Sequence, residues 1–135
     1  MNLQARYTRR AYRFEQVLQP MPGRLLRDTP MRILRELALK IAREEAPQHA
    51  HKLQVVAGRG TMYGGGLTSF CQRKRIELAR HHRRKLVLLH EMAHWLGHND
   101  HGPRFMRTYI YLLCRYAGIE RRYLNASWRK VGGKA

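Results

Sequence analysis

Residues 84–97 read Arg84-Lys85-Leu86-Val87-Leu88-Leu89-His90-Glu91-Met92-Ala93-His94-Trp95-Leu96-Gly97. The stretch has no Pro and no internal Gly. Wound as a helix it is apolar nearly all round, the mark of a buried central helix. His90 and His94, four residues apart, share one face of that helix, and two imidazoles so placed can bind one metal ion. Glu91 lies about 100° round from His90, which suits a general base reaching an attacking water better than a third ligand. Two His and a Glu inside such a helix need strong partners, because unpaired buried polar groups are costly. A metal ion satisfies all three, and this spacing has the form of a zinc site that hydrolyses peptide bonds.

Working outward, His98, Asp100 and His101 are the candidates for a third ligand. His98 continues the ligand face only if the helix continues, and it would then stand about 12 Å from His90 along the axis. Zn–N bonds of about 2.0–2.1 Å do not span that distance. Gly97 is placed to end the helix as a C-terminal cap. The chain then turns back, which leaves Asp100 and His101.

The run His90-Glu91-Met92-Ala93-His94, followed by His101-Gly102-Pro103-Arg104-Phe105, resembles the SprT-like metalloproteases. Their pattern is HExxH, a variable loop and a His-Gly-Pro-x-Phe-type segment whose His is the third zinc ligand. Arg75-Ile76-Glu77-Leu78-Ala79 is similar to the family's "Ile-x-Leu" strand ahead of the metal helix. The resemblance covers roughly residues 52–117. It implies Zn2+ held by His90, His94 and His101, Glu91 as catalytic base, and proteolysis of proteins bound or crosslinked to DNA. The chain departs from the family in two ways. With only Cys71 and Cys114 it has no Cys-rich zinc ribbon, and the loop before His101 is short. The short loop also puts Gly97 and Asp100 in register with HExxHxxGxxD, a minority pattern among metzincins. Met106, the only Met after the motif, follows too closely to form their Met-turn.

Charge is the second signal. The chain of 135 residues carries a formal net charge of +18 and is 44% hydrophobic, enough for one domain with a real core. Such an excess of positive charge attracts polyanions. The basic residues cluster at Arg6, Arg9, Arg10 and Arg13 among Tyr7, Tyr12 and Phe14. They cluster again across Arg73–Lys85, and in a tail with Arg121, Arg122, Arg129, Lys130 and Lys134 near Tyr123 and Trp128. Basic residues mixed with aromatics grip phosphates and stack on unpaired bases, so a nucleic-acid partner is expected. No motif reads bases, and binding would be largely sequence-independent. The alternative is a generally basic surface. No stretch reaches the roughly 18 apolar residues of a membrane span. Two isolated cysteines and the absence of a secretory signal suit an intracellular setting, cytoplasmic or nucleoid-associated.

The chain divides into a basic N-terminal arm over 1–23, a metalloprotease domain over 24–118 and a basic tail over 119–135. Residues 3–18 suit a short basic helix or a mobile arm. A scaffold helix is predicted from about Asp28 to Ala46, with Asp28 or Thr29 as N-cap and a core stripe of Met31, Leu34, Leu37, Ala38 and Ile41. Residues 52–57 alternate as a strand. Residues 61–70 suit a second strand broken at Gly64-Gly65-Gly66, and Arg75–Ala79 a third. A closing helix spans about Pro103 to Ala117, burying Phe105, Ile110, Leu113 and Cys114. The predicted class is α+β, a compact zincin-like domain with a small antiparallel or mixed sheet. Tyr63 and His98 are candidate oxyanion donors that no spacing selects. The expected activity is a zinc metalloendopeptidase acting on a protein substrate. Two alternatives are a metzincin-type peptidase with Asp100 as ligand, and a nucleic-acid-binding or structural protein that keeps a zinc-stabilised protease-like fold.

Overall fold

The computed structural model describes residues 2–18, 25–58, 75–97 and 100–134. In chain order these form α1 (Leu3–Leu18), α2 (Met31–Glu45), a 3-10 turn (Pro47–Lys52), β1 (Gln54–Ala57), β2 (Arg75–Leu78), α3 (Lys85–Trp95), α4 (Pro103–Ala117) and α5 (Arg121–Lys130). The class is α+β. Among the described residues the sheet has two strands, and they run parallel, with Val55 opposite Ile76 and Ala57 opposite Leu78. The parallel pair corrects the antiparallel arrangement, one of the two expected from the sequence. A parallel pair needs a crossover of a dozen or more residues, and residues 58–74 supply that length. The expected strand over 61–70 and the Gly64-Gly65-Gly66 break lie outside the described residues.

Helix α3 is the centre of the molecule. Leu86, Leu88, Leu89, His90, Glu91, Met92 and Ala93 are all buried on it, as its all-round apolar pattern predicts. It packs against α2, β2 and α4. The stripe of α2 faces the core, with Leu34, Ala38 and Ile41 buried and Met31 and Leu37 packed against them. Arg35 Nε donates to the Val55 carbonyl at 2.9 Å and ties α2 to β1. The N-cap of α2 is Pro30, with no side-chain cap, where Asp28 or Thr29 was expected. Their backbone is used otherwise: Thr29 N donates to Arg83 O at 2.8 Å, and Asp28 and Arg84 form an isolated antiparallel bridge. This strap fixes the start of α2 beside the start of α3.

Both flanking segments join the core. On α1, Ala11, Phe14 and Leu18 are fully buried, while Arg6, Arg9 and Arg13 stay exposed, so this basic segment is an amphipathic helix. On α5, Leu124 and Trp128 are buried. The Phe14 ring meets Trp128 and Tyr109 edge-on at centroid distances of 5.9 and 6.0 Å. On α4, Phe105, Ile110 and Leu113 are buried and Cys114 is partly so. Gly118, at φ +69°, ends that helix. Among the described residues no helix is long and apolar enough to cross a membrane.

Candidate metal centre

The two candidate ligands of α3, His90 and His94, sit in its last turns. The helix stops at Trp95, and Gly97 takes φ +124°, a backbone state that L side chains rarely adopt, with its N–H donating to His94 O at 3.0 Å. The chain then reverses. Asp100 is exposed, and its Oδ1 accepts the Gly102 N–H at 3.0 Å, an Asx-type turn. Gly102 lies so close to Tyr7 that a Cβ would stand 3.3 Å from its ring. Pro103 opens α4. The Gly-Pro pair therefore allows a tight approach and starts a helix at once, which swings His101 back over α3.

His101 Nε2 comes 3.1 Å from His90 Nε2 and 3.2 Å from His94 Nε2. One ligand nitrogen from each of the three lies within 4.8 Å of the others, and among the described residues no further such group of His, Cys, Asp or Glu occurs. For Zn–N bonds of about 2.0–2.1 Å, tetrahedral ligands stand about 3.3 Å apart, so the spacing fits one ion. Phe105 packs beneath all three rings, stacked on His94 at 4.5 Å and edge-on to His101 and His90 at 4.9 and 5.0 Å. Asp100, the rival third ligand, turns one oxygen to the Gly102 N–H and does not join the group.

Glu91 is 3% exposed. Its Oε2 lies 3.9 Å from His90 Nε2, and its Oε1 is buried without a hydrogen-bond partner among the described residues. Burial pushes the Glu91 carboxyl up to about 8; His90 opposes that rise and the charge of Glu15 adds to it. A dication beside it favours the ionised form. Burial, with His90 and His94 nearby, pushes His101 down to about 4, so it is a neutral imidazole with a lone pair to offer. With the ligand nitrogens neutral, Glu15 and Glu91 together balance the charge of a divalent ion. An orphaned carboxylate oxygen, three converging nitrogens and matched charge all fit a bound metal ion.

Four further residues line the site, and none stands out from motif spacing. Glu15 Oε2 lies 3.0 Å from His90 Nδ1 and accepts the Tyr109 hydroxyl at 2.6 Å. Burial raises the Glu15 carboxyl, but His90 and Tyr109 outweigh it and hold it below its ordinary range. Burial lowers His90, and Glu15 outweighs that and raises it. Thr8 Oγ1 stands 3.3 Å from His101 Nδ1. Tyr12 lies over the rings of His90 and His101 at centroid distances of 6.5 and 6.0 Å. One signal for Glu15 was present: it is the only acid in the first 27 residues of a strongly basic chain.

His98, Tyr63, Arg73 and Lys74 lie outside the described residues. Arg6, Arg9 and Arg13 on α1 and Arg121, Arg122, Arg129 and Lys130 on α5 are exposed, and α1 packs beside α5. Arg75 is paired with Glu77 at 2.7 Å. Comparison with protein-family models, with curated proteins and with solved structures finds no match to this chain.

Proposed function

We propose that this chain is a zinc-dependent metalloendopeptidase of the SprT-like kind, zincin-like around its metal helix, working on protein substrates held near nucleic acid. The observation that carries the reading is the buried, unpartnered Oε1 of Glu91 beside the converging nitrogens of His90, His94 and His101. A structural zinc site is closed by four protein ligands; among the described residues three converge here, which leaves a position open for chemistry. The three imidazoles would hold the ion. Bound there, zinc supplies Lewis acidity, which lowers the pKa of water and polarises a peptide carbonyl. Glu91 takes a proton from the attacking water at its free carboxylate oxygen and returns it to the departing amine nitrogen. Burial keeps competing water away from that carboxylate. An extended substrate would pair its main chain with an edge of the small sheet, which gives little side-chain preference.

The exposed arginines of α1 and α5 support a polyanionic partner, bound through phosphates and weakened by salt. They also favour the second reading, a nucleic-acid-binding protein with a metal-stabilised fold. Glu91 argues against that reading, because a purely structural site does not need a buried carboxylate beside it. The test is cleavage of casein and of a DNA-binding protein by wild type and Glu91→Gln, with metal content measured on both, with and without single-stranded DNA. Cleavage by wild type alone, at equal zinc, is expected, and DNA should enhance it. Equal zinc with cleavage by neither protein would overturn the peptidase reading in favour of the binding protein.

A further inference from the structure

We propose that Glu15, delivered by α1 and braced by Tyr109 of α4, is the positioning residue that orients His90 for the metal; the inference rests on the metal-centre reading above. An imidazole ligand offers one lone pair, and its other nitrogen carries the proton. At His90 the nitrogen facing the cluster is Nε2, 3.1 Å from His101 Nε2. Nδ1 faces away, 3.0 Å from Glu15 Oε2. A carboxylate there accepts the Nδ1–H, fixes the tautomer and the ring plane, and raises the basicity of Nε2. Rotation of the ring would break that bond and withdraw the ligand.

The carboxylate is itself held. Its Oε2 accepts from Tyr109, a fully buried side chain, at 2.6 Å, which offsets the cost of burying its charge. The helix that carries it is anchored by Ala11, Phe14 and Leu18, all fully buried. A second contact from the same face supports the same role. Thr8 lies seven residues before Glu15, two helical turns away, and reaches His101 Nδ1 at 3.3 Å. One helix therefore backs the outer nitrogens of two of the three ligands. The basic segment ahead of the metalloprotease motifs is part of the metal centre as well as a charged surface.

The test is zinc affinity of the full chain, measured by competition with a chromophoric chelator, for wild type, Glu15→Gln and Glu15→Asp. The His90 Nδ1–H resonance is followed by NMR in the same zinc-loaded samples. Glu15→Gln should bind zinc about 10–100-fold more weakly and lose the downfield position of that proton. Glu15→Asp, which keeps the charge but draws it back, should fall between, and it carries the test if the Gln variant does not fold. Phe14→Leu, a core change one residue away, controls for damage to α1 and should lower the melting temperature with zinc affinity kept. Unchanged affinity in Glu15→Gln beside a tight wild type would sink this inference alone. An equal loss of affinity in Phe14→Leu would sink it too, by reducing Glu15 to a folding role. A wild type that binds no zinc would sink the metal-centre reading along with it.

Discussion

Tyr109 and Tyr111 stand two residues apart on α4, and each donates its hydroxyl to a glutamate on another helix. Tyr109 reaches Glu15 at 2.6 Å and Tyr111 reaches Glu45 at 3.1 Å. The networks around them differ in what they leave over. Around Glu45, Oε2 also accepts from Arg115 Nη1 at 2.6 Å and from Tyr116 at 2.8 Å, while Glu44 Oε1 takes Arg115 Nη2 and the same Tyr116 hydroxyl. The one Tyr116 proton is shared between the two carboxylates, and each of these polar atoms has a partner, at the rim of the fold. Beside Glu15 that is not so. Three imidazole nitrogens converge, and the buried Glu91 carboxylate beside them keeps one oxygen without a hydrogen-bond partner. A polar cluster that closes on itself holds helices together. One that stays open inside a core bears a cost, and the proposed metal ion would offset it.

The most severe way to probe the open cluster is Glu91→Gln. The amide keeps the shape and cannot take a proton, so zinc content should hold while peptide cleavage falls by about 10²–10⁴-fold. Cleavage within a few-fold of wild type would mean that the bare oxygen has no catalytic use. Removal of the ion comes next. With free zinc at about 100 times Kd, binding adds about 2.7 kcal/mol to stability, on the order of 10 °C in melting temperature for a chain of this size. A chelator should remove that increment, and a melting curve indifferent to chelator would break the contrast between the two clusters at its root.

The stripped protein should also show the cost of the open cluster as a pH dependence. Without an ion, burial sets Glu91 at about 8 against an ordinary 4.5. The folded chain then keeps a proton there that the unfolded chain releases, so the contribution of Glu91 to stability declines as pH rises between those values, against an opposing gain up to about 6.5 from His101, which is held down to about 4. His90, raised by Glu15, pushes in the same direction as Glu91. Glu91→Gln should flatten the decline in denaturant titrations of metal-free protein across that window. A slope equal to that of wild type would show that Glu91 is solvated rather than stranded.

The contrast also separates what could be read from residue order from what could not. His90, Glu91 and His94 follow from helical spacing, and the end of α3 follows from Gly97. His101 over Asp100 came from a resemblance; in the structure His101 gathers with His90 and His94, while Asp100 turns one oxygen to the Gly102 N–H. The closing helix was visible in Pro103 and Gly118. The parallel sheet was not, because period-two patterning marks a strand without giving its direction. The cap of α2 was missed because a tertiary bridge to Arg83 and Arg84 outcompeted local capping. Glu15, Thr8 and Tyr12 were hidden because their partners lie far off in sequence, 75 residues away for Glu15 and 93 for Thr8.

The two tyrosines give the finest comparison. Removing the Tyr109 hydroxyl takes one of two donors from Glu15 and leaves buried charge short of a partner, a loss of about 1–3 kcal/mol. Part of it should appear as weaker zinc binding, because the carboxylate it releases is the one that orients His90. Removing the Tyr111 hydroxyl takes one of three donors from Glu45 Oε2, and Arg115 and Tyr116 still satisfy it. Tyr111→Phe should therefore cost about 1 kcal/mol or less and leave zinc affinity and cleavage where they were. The pair is best measured side by side, by denaturant titration of the stripped proteins and chelator competition of the loaded ones. Equal shifts in zinc affinity would mean that α4 transmits any disturbance to the centre. A shift in Tyr109→Phe alone would confine the coupling to the Glu15 side, where a carboxylate with two donors has none to spare.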